Sequence, residues 1–264
     1  MTGGAGSHDL SPSVVILAAG KGTRMRSQLP KMLHEAAGLP LLEHVLRAVA
    51  PLAPHKVVVV IGHGADQYRE RFAENSRRGE LEFVDQPQQL GTGHALLQAR
   101  EPLAGTGGNV VVLNGDGPLV RSTTIAALSA ALGTSKGMAL VTCDVSEPDG
   151  LGRVLRDSSG AVTGIVEHKD ASEEQLALRE INPGIYAFDS GVFDLCARLS
   201  NDNAAGEYYI TELLELYLKA GMPVVAHKID DEQEVWAVND REELARADRA
   251  LRDRLRKKWL LAGV

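Results

Sequence analysis

Short apolar runs that each stop at a glycine constrain this chain more than any other feature. Residues 14–17 (VVIL), 56–61 (KVVVVI) and the apolar centre of 109–116 (NVVVLNGD) show no polar alternation. A strand with one face in water alternates, so these read as strands covered on both faces. Each run ends in a turn: Gly20-Lys21-Gly22, Gly62-His63-Gly64 and Gly115-Asp116-Gly117. Between the first two strands Leu41, Leu42, Val45, Leu46 and Val49 share a helical face, with Pro40 at its start and Pro51 and Pro54 beyond its end. A second helix is expected over 66–75 and a strand over 81–84. The order β-α-β-α-β predicts an α/β fold built on an open, mainly parallel sheet with helices on both faces. Ligands of such sheets lie beyond the carboxyl ends of the strands, and every glycine turn falls at that edge.

The first turn carries chemistry. From Leu10 to His34 the chain has Lys21, Arg24, Arg26 and Lys31 and no carboxylate. Small residues let a backbone approach a ligand closely, and unopposed cations suit a polyphosphate. Two familiar phosphate loops do not fit. Gly20-Lys21 is followed by Gly22 where a Walker A loop needs Ser or Thr, and Met25 stands where the dinucleotide fingerprint needs its third glycine. By themselves the glycines read equally well as a surface turn.

Further along, Gln86 to His94 (QPQQLGTGH) precedes a short helix. Gly and Thr there suit helix capping. Gln86 and Gln89 offer neutral donor–acceptor amides suited to a nucleobase edge. Asp116, at the end of the fourth strand, reads either as a turn-forming Asp or as a Mg²⁺ ligand opposite the cationic loop. After a helix over 123–132 and a strand over 137–145 the style changes. Residues 153–156 and 162–166 predict a hairpin, which implies an antiparallel section. A strand is expected over 180–188 and helices over 191–199 and 210–220. The chain ends in a long helix from about 240 to 261, where Asn239 and Glu242 have capping-box spacing. Leu244, Ala247, Leu251, Leu255 and Trp259 form its apolar stripe.

Composition excludes several classes. A chain of 264 residues with 44% hydrophobic and 24% charged residues is an ordinary globular composition. A net charge of −7 argues against a general nucleic-acid binder. Cys143 and Cys196 show no metal or CxxC spacing and read as reduced thiols of a cytoplasmic protein. Residues 1–13 lack the apolar stretch of a secretory signal and are expected to be a disordered lead-in. No run approaches the length of a membrane span.

Taken together, LAAGKGTRM, LPK, QLGTGHAL, GDGPL, GLGR, GIVEHKDA, EINPGIY, DNAAGEYYITEL and VNDREEL resemble one family. It is the N-terminal domain of bacterial bifunctional N-acetylglucosamine-1-phosphate uridylyltransferase/glucosamine-1-phosphate acetyltransferase. The resemblance spans about residues 14–264. It implies a Rossmann-like nucleotide-diphospho-sugar transferase fold. A nucleotide lobe over about 14–120 and a sugar lobe over about 121–238 would share one sheet, with a C-terminal helix over 239–264. The implied reaction joins UTP and N-acetylglucosamine-1-phosphate, giving UDP-N-acetylglucosamine and pyrophosphate, with Mg²⁺ as cofactor.

By resemblance, Leu17, Ala18, Ala19 and Gly20 contact the nucleotide through backbone, and Arg24 and Lys31 are the catalytic cations. Gln86, Gly91 and Thr92 match uridine contacts, with Gln89 nearby, and Asn114 and Gly115 fall among the nucleotide contacts. Asp116 and Asn239 match the metal ligands. Gly152, Glu167 and Asn182 match the acetylamino-sugar contacts. The chain departs from the family at Asn114, where an aromatic is usual, and at Gly117, where Val or Thr is usual. The family's left-handed β-helix acetyltransferase half, which forms its trimer, is not in these residues. Acetyl transfer is therefore not expected, and the oligomeric state stays open. A transferase for another sugar or base, or a non-catalytic sugar-nucleotide sensor, would share the same machinery.

Overall fold

The computed structural model describes residues 11–263. The lead-in expected over 1–13 lies, for residues 1–10, outside the described residues. Residues 12 and 13 already belong to the fold: Pro12 O accepts from His55 N at 3.0 Å, and Ser13 opens the first strand.

In chain order the first half comprises β1 (Ser13–Ala18), the small hairpin β2 (Glu35–Ala36) and β3 (Leu39–Pro40), α1 (Leu41–Val49), β4 (Lys56–Ile61), α2 (Ala65–Arg71), α3 (Ala73–Arg77), β5 (Glu82–Asp85), α4 (Thr92–Gln98) and β6 (Val110–Asn114). Then follow α5 (Ser122–Leu132), β7 (Met138–Asp144), the hairpin β8 (Gly152–Arg156) and β9 (Val162–Val166), α6 (Glu173–Leu176), β10 (Glu180–Asn182) and β11 (Tyr186–Phe188). The chain finishes with α7 (Val192–Cys196), α8 (Glu212–Lys219), β12 (Val224–Ile229) and α9 (Arg241–Leu261). No helix among the described residues is long and apolar enough to cross a membrane.

Ten strands form one mixed sheet in the order β5-β4-β1-β6-β11-β7-β10-β8-β9, with β12 also paired to β7. β5, β4, β1 and β6 run parallel. β11 is antiparallel to both β6 and β7, and β10, β8 and β9 continue the antiparallel section. The apolar runs lack alternation because both faces of the sheet are covered. Val15, Val58 and Val112 pack with Leu96, Val192 and Leu213 on one side. Ile16, Val59 and Val111 pack with Leu42, Tyr68 and Ile125 on the other.

Three features differ from the sequence pattern. The helix expected over 66–75 breaks into α2 and α3 at Phe72, whose φ is −111°. Phe72 is fully buried, its ring 6.3 Å from that of Phe83, so packing has overridden helical continuity. The strand expected over 180–188 is divided by Pro183 and Gly184. Its first part pairs with β8 (Asn182 opposite Gly152) and its second with β6 (Tyr186 opposite Val112). This step between neighbours opens a crevice across the sheet. The stripe on α9 also divides. Ala247, Ala250 and Leu251 pack against Ala36, Leu41 and Leu119, while Leu255, Trp259, Leu260 and Leu261 are exposed.

Gly184 sits at the dividing point with φ +78°, and a Cβ there would lie 2.4 Å from Asn114 Nδ2. Gly184→Ala is expected to lower the unfolding free energy by about 1–3 kcal/mol, the typical strain of a non-glycine residue in this region. Gly107→Ala, where a Cβ meets nothing and φ is ordinary, should stay close to wild type. Denaturant titration of both variants checks the pair.

Candidate active site

The glycine turn after β1 is shaped around a lysine. Gly22 adopts φ +58°, and a Cβ on it would fall 2.7 Å from Lys31 Cβ. A side chain here would push Lys31 out of place. Lys21, Arg24 and Arg26 are exposed, whereas Lys31 is only 9% exposed. A buried ammonium is costly unless paired. Lys31 Nζ lies 2.5 Å from Asp116 Oδ2 and donates to Asn239 Oδ1 at 3.2 Å.

Asp116 and Asn239 are brought together by backbone. Gly115 N donates to Leu17 O at 2.9 Å, fixing the end of β6 against the end of β1. Val238 N donates to Asp116 O at 2.9 Å, tying the entry of α9 to the same turn. The cap of α9 is Asp240, not Asn239: its side chain accepts from Glu242 N and Glu243 N. Asp240 is one residue nearer the helix and takes over the capping bonds. That leaves the Asn239 side chain facing Lys31, while Asn239 N donates to Glu243 Oε2 at 2.6 Å. Asp116 Oδ1 is buried with no hydrogen-bond partner. An unpartnered carboxylate oxygen beside an amide oxygen suits a hard divalent cation that takes its remaining ligands from phosphate and water. No group of three or more His, Cys, Asp or Glu able to hold a metal occurs among the described residues.

Residues 86–93 form a braced loop. Gln86 is buried; its Nε2 donates to Gly91 O at 3.0 Å and lies 3.0 Å from His94 Nδ1. Gln89 Nε2 donates to Ala19 O at 2.8 Å, linking this loop to the glycine turn. Gly91 has φ +111°, and a Cβ there would lie 2.6 Å from Tyr208 O. Gly93 N donates to Tyr208 O, and Thr92 Oγ1 accepts from Ile210 N at 3.0 Å.

Across the crevice, Gly152 and Asn182 are register partners on β8 and β10. Asn182 Nδ2 donates to the Tyr186 hydroxyl at 2.6 Å. Glu167 Oε1 accepts from Thr211 Oγ1 at 3.0 Å. Burial pushes the Glu167 carboxyl above the usual range; the Thr211 bond opposes this, and the charges of Asp170 and Glu207 add to it. Asn114 Nδ2 donates to Pro183 O at 3.2 Å and so pins the dividing point of β10 and β11.

A cleft of about 730 Å³ runs between these groups. Of the residues expected from sequence, Leu17, Arg24, Thr92, Asn114, Asp116, Gly152, Glu167, Asn182 and Asn239 line it. Ala18, Ala19, Gly20, Lys31, Gln86, Gln89, Gly91 and Gly115 are not part of this lining; several of them hold the lining residues by the bonds just described. The structure adds Thr211 and Tyr186, which orient Glu167 and Asn182. It also adds Arg153, which is fully buried and donates to Pro148 O, Leu151 O and Leu178 O. Arg153 thereby shapes the loop before β8. Periodicity carries no signal for such a residue, although it closes the GLGR motif.

The chain matches the model of the MobA-like NTP transferase domain over residues 14–260. It belongs to that family. Proteins described as bifunctional protein GlmU are similar to this transferase domain. The one from Heliobacterium modesticaldum is 44% identical over 259 residues, covering 96% of the chain and 54% of the relative. The one from Paracidovorax citrulli is 48% identical over 238 residues, covering 90% and 50%. The chain therefore spans about half the length of the curated relatives it matches. A Bacillus anthracis structure, provisionally described as a glucose-1-phosphate thymidylyltransferase in complex with sucrose, shares the fold. Its TM-score is 0.75 at 20% identity, covering 91% of this chain and 95% of that one.

Because burial raises the Glu167 pKa, its charged form weakens the fold. The folded protein holds this proton at pH values where the unfolded chain has lost it, so stability from this group falls as pH rises above the ordinary Glu range. Glu167→Gln keeps an acceptor for Thr211 and removes the charge. It should raise the midpoint of thermal unfolding at neutral pH and narrow the gap to wild type in acid. Melting curves across pH check this.

Proposed function

We propose that this domain transfers uridylyl from UTP to N-acetylglucosamine-1-phosphate, releasing UDP-N-acetylglucosamine and pyrophosphate. The carrying observation is the joined set Lys31, Asp116 and Asn239 at one end of a cleft whose other end holds Gly152, Glu167 and Asn182. Similarity to relatives over most of this chain supports the same reading.

The reaction asks little of the protein beyond position and charge. A sugar phosphate is already an ionised nucleophile, so no general base is needed. Its oxygen attacks the α-phosphorus of the nucleotide in line, and the bond to the β-phosphate oxygen breaks as pyrophosphate leaves. Rate comes from holding two anions in register and neutralising developing charge. Arg24 faces the cleft and is suited to hold phosphate oxygens, while Lys31, bonded to Asp116 and Asn239 just behind the lining, adds fixed positive charge at the same end. Asp116 and Asn239 would hold Mg²⁺, which when bound supplies further neutralisation of phosphate charge. The Gln86 to Thr92 loop offers backbone groups and Thr92 to a base edge. Glu167 and Asn182 accept from or donate to sugar hydroxyl and amide groups. A cytoplasmic setting completes the reading, since Cys143 and Cys196 are free and buried, which pushes their thiols up to about 11 and about 12.

Pyrophosphate release measured across four nucleotides and three sugar phosphates with Mg²⁺ tests the assignment. UTP with N-acetylglucosamine-1-phosphate should be fastest. A different best pair would change the substrates, and no release with any pair would favour a sensor. Asp116→Ala and Lys31→Ala should each lower turnover by about 10²-fold or more, the usual effect of removing a group that stabilises transition-state charge, with far-UV circular dichroism unchanged. Near-normal turnover in either would remove that residue from the mechanism.

A further inference from the structure

Beyond Gly152, Glu167 and Asn182 the same cleft continues to a wall that the reaction above leaves unused. One side of it is the loop between β7 and β8, residues 145–151. The other is the segment 232–237 before α9. The two sides are laced together. Ser146 N and Oγ donate to Glu232 at 2.7 and 3.0 Å. Arg246 on α9 lies with its guanidinium carbon 3.6 Å from the centre of the Trp236 ring, and its Nη1 is 3.6 Å from Glu147 Oε2. Trp236, Arg246 and Glu147 all line the cleft.

Arg246 is stacked on one face of the indole, and the ring also packs against the cluster that includes Ala36, Leu41, Val238 and Ala247, so only the part of the half-buried ring left uncovered by both lines the cleft. The charges decide which ligand. Glu147, Asp149, Glu167, Glu232 and Glu243 line the cleft with Arg246 as the cation on Trp236, whereas Arg24, the other lining cation, belongs to the turn after β1. Carboxylates repel phosphate and accept from hydroxyls. A flat apolar surface ringed by hydroxyl acceptors suits the C–H face of a neutral pyranose ring. Resting on the function proposed above, we propose that Trp236, with Arg246 stacked on it, is the stacking platform for the sugar ring and a determinant of sugar affinity.

The chain has two tryptophans, and the other, Trp259, is 54% exposed near the end of α9. In a Trp259→Phe background Trp236 alone reports by fluorescence. Adding UDP-N-acetylglucosamine should change its emission, whereas UDP should leave it nearly unchanged. Trp236→Leu should raise KM for the sugar phosphate about five- to tenfold, the scale of one lost aromatic contact. KM for UTP and kcat should hold, and Trp236→Phe should recover most of the loss. Arg246→Met should raise the same KM by freeing the ring. Equal signals with UDP and the sugar nucleotide, or an unchanged sugar KM in Trp236→Leu, would overturn the platform. If calorimetry shows that UDP-N-acetylglucosamine binds while Trp236 stays silent, this inference alone falls. If calorimetry shows no binding, the parent reading falls with it.

Discussion

One buried ammonium organises the head of the cleft. Lys31 has little access to water, so its charge must be met by protein, and its two partners lie 85 and 208 residues away in sequence. Meeting that requirement brings the turn after β1, the end of β6 and the entry of α9 to one point. Gly22 leaves the room, Gly115 anchors the Asp116 turn to β1, and Val238 closes the set from the far side. The carboxylate oxygen of Asp116 that Lys31 does not reach stays without a partner. A polar atom stranded in this way is unfavourable for the fold, and a functional centre is where such strain is commonly found.

The other end of the cleft rests on a change of strand neighbours. β10 pairs outward to β8 and β11 pairs inward to β6, with Pro183 and Gly184 between them. The antiparallel section is thus grafted onto the parallel sheet at the same edge where the glycine turns lie. One short segment spans both ends. Tyr208 and Ile210 bond to the loop carrying Gly91 to Gly93, and Thr211, next in sequence, bonds to Glu167. Groups suited to a base edge and a group suited to a sugar are therefore braced by one continuous piece of chain.

A reaction between an ionised phosphate and a nucleotide calls for no activated nucleophile, and the side chains agree with that economy. His94 is held between Gln86 and Gln98, and His168 accepts from Gly150 N. Both cysteine thiols are kept protonated by burial. The polar groups facing the cleft are cations, carboxylates, amides and hydroxyls, which bind and position.

What local sequence determined was the elements. Apolar runs without alternation encode strands covered on both faces, and helical spacing encodes α1, α5 and α9, because both signals depend on near neighbours. The motif LAAGKGTRM and its companions also made the family legible and pointed to nine of the residues that line the cleft. Other features depended on contacts distant in sequence. Phe72 broke a helix in order to bury its ring against Phe83. Gln86, which reads in sequence as a base-edge amide, also uses its Nε2 to brace Gly91. Asn239 and Asp240 are adjacent and both able to cap α9; Asp240, one residue nearer the helix, took the capping bonds and left the Asn239 side chain to Lys31. Arg153 and Trp236 carried no periodic signal, since their roles come from carbonyls and a guanidinium supplied by other segments. Periodicity records which face of an element is covered, but the identity of the covering group is set when the chain closes on itself.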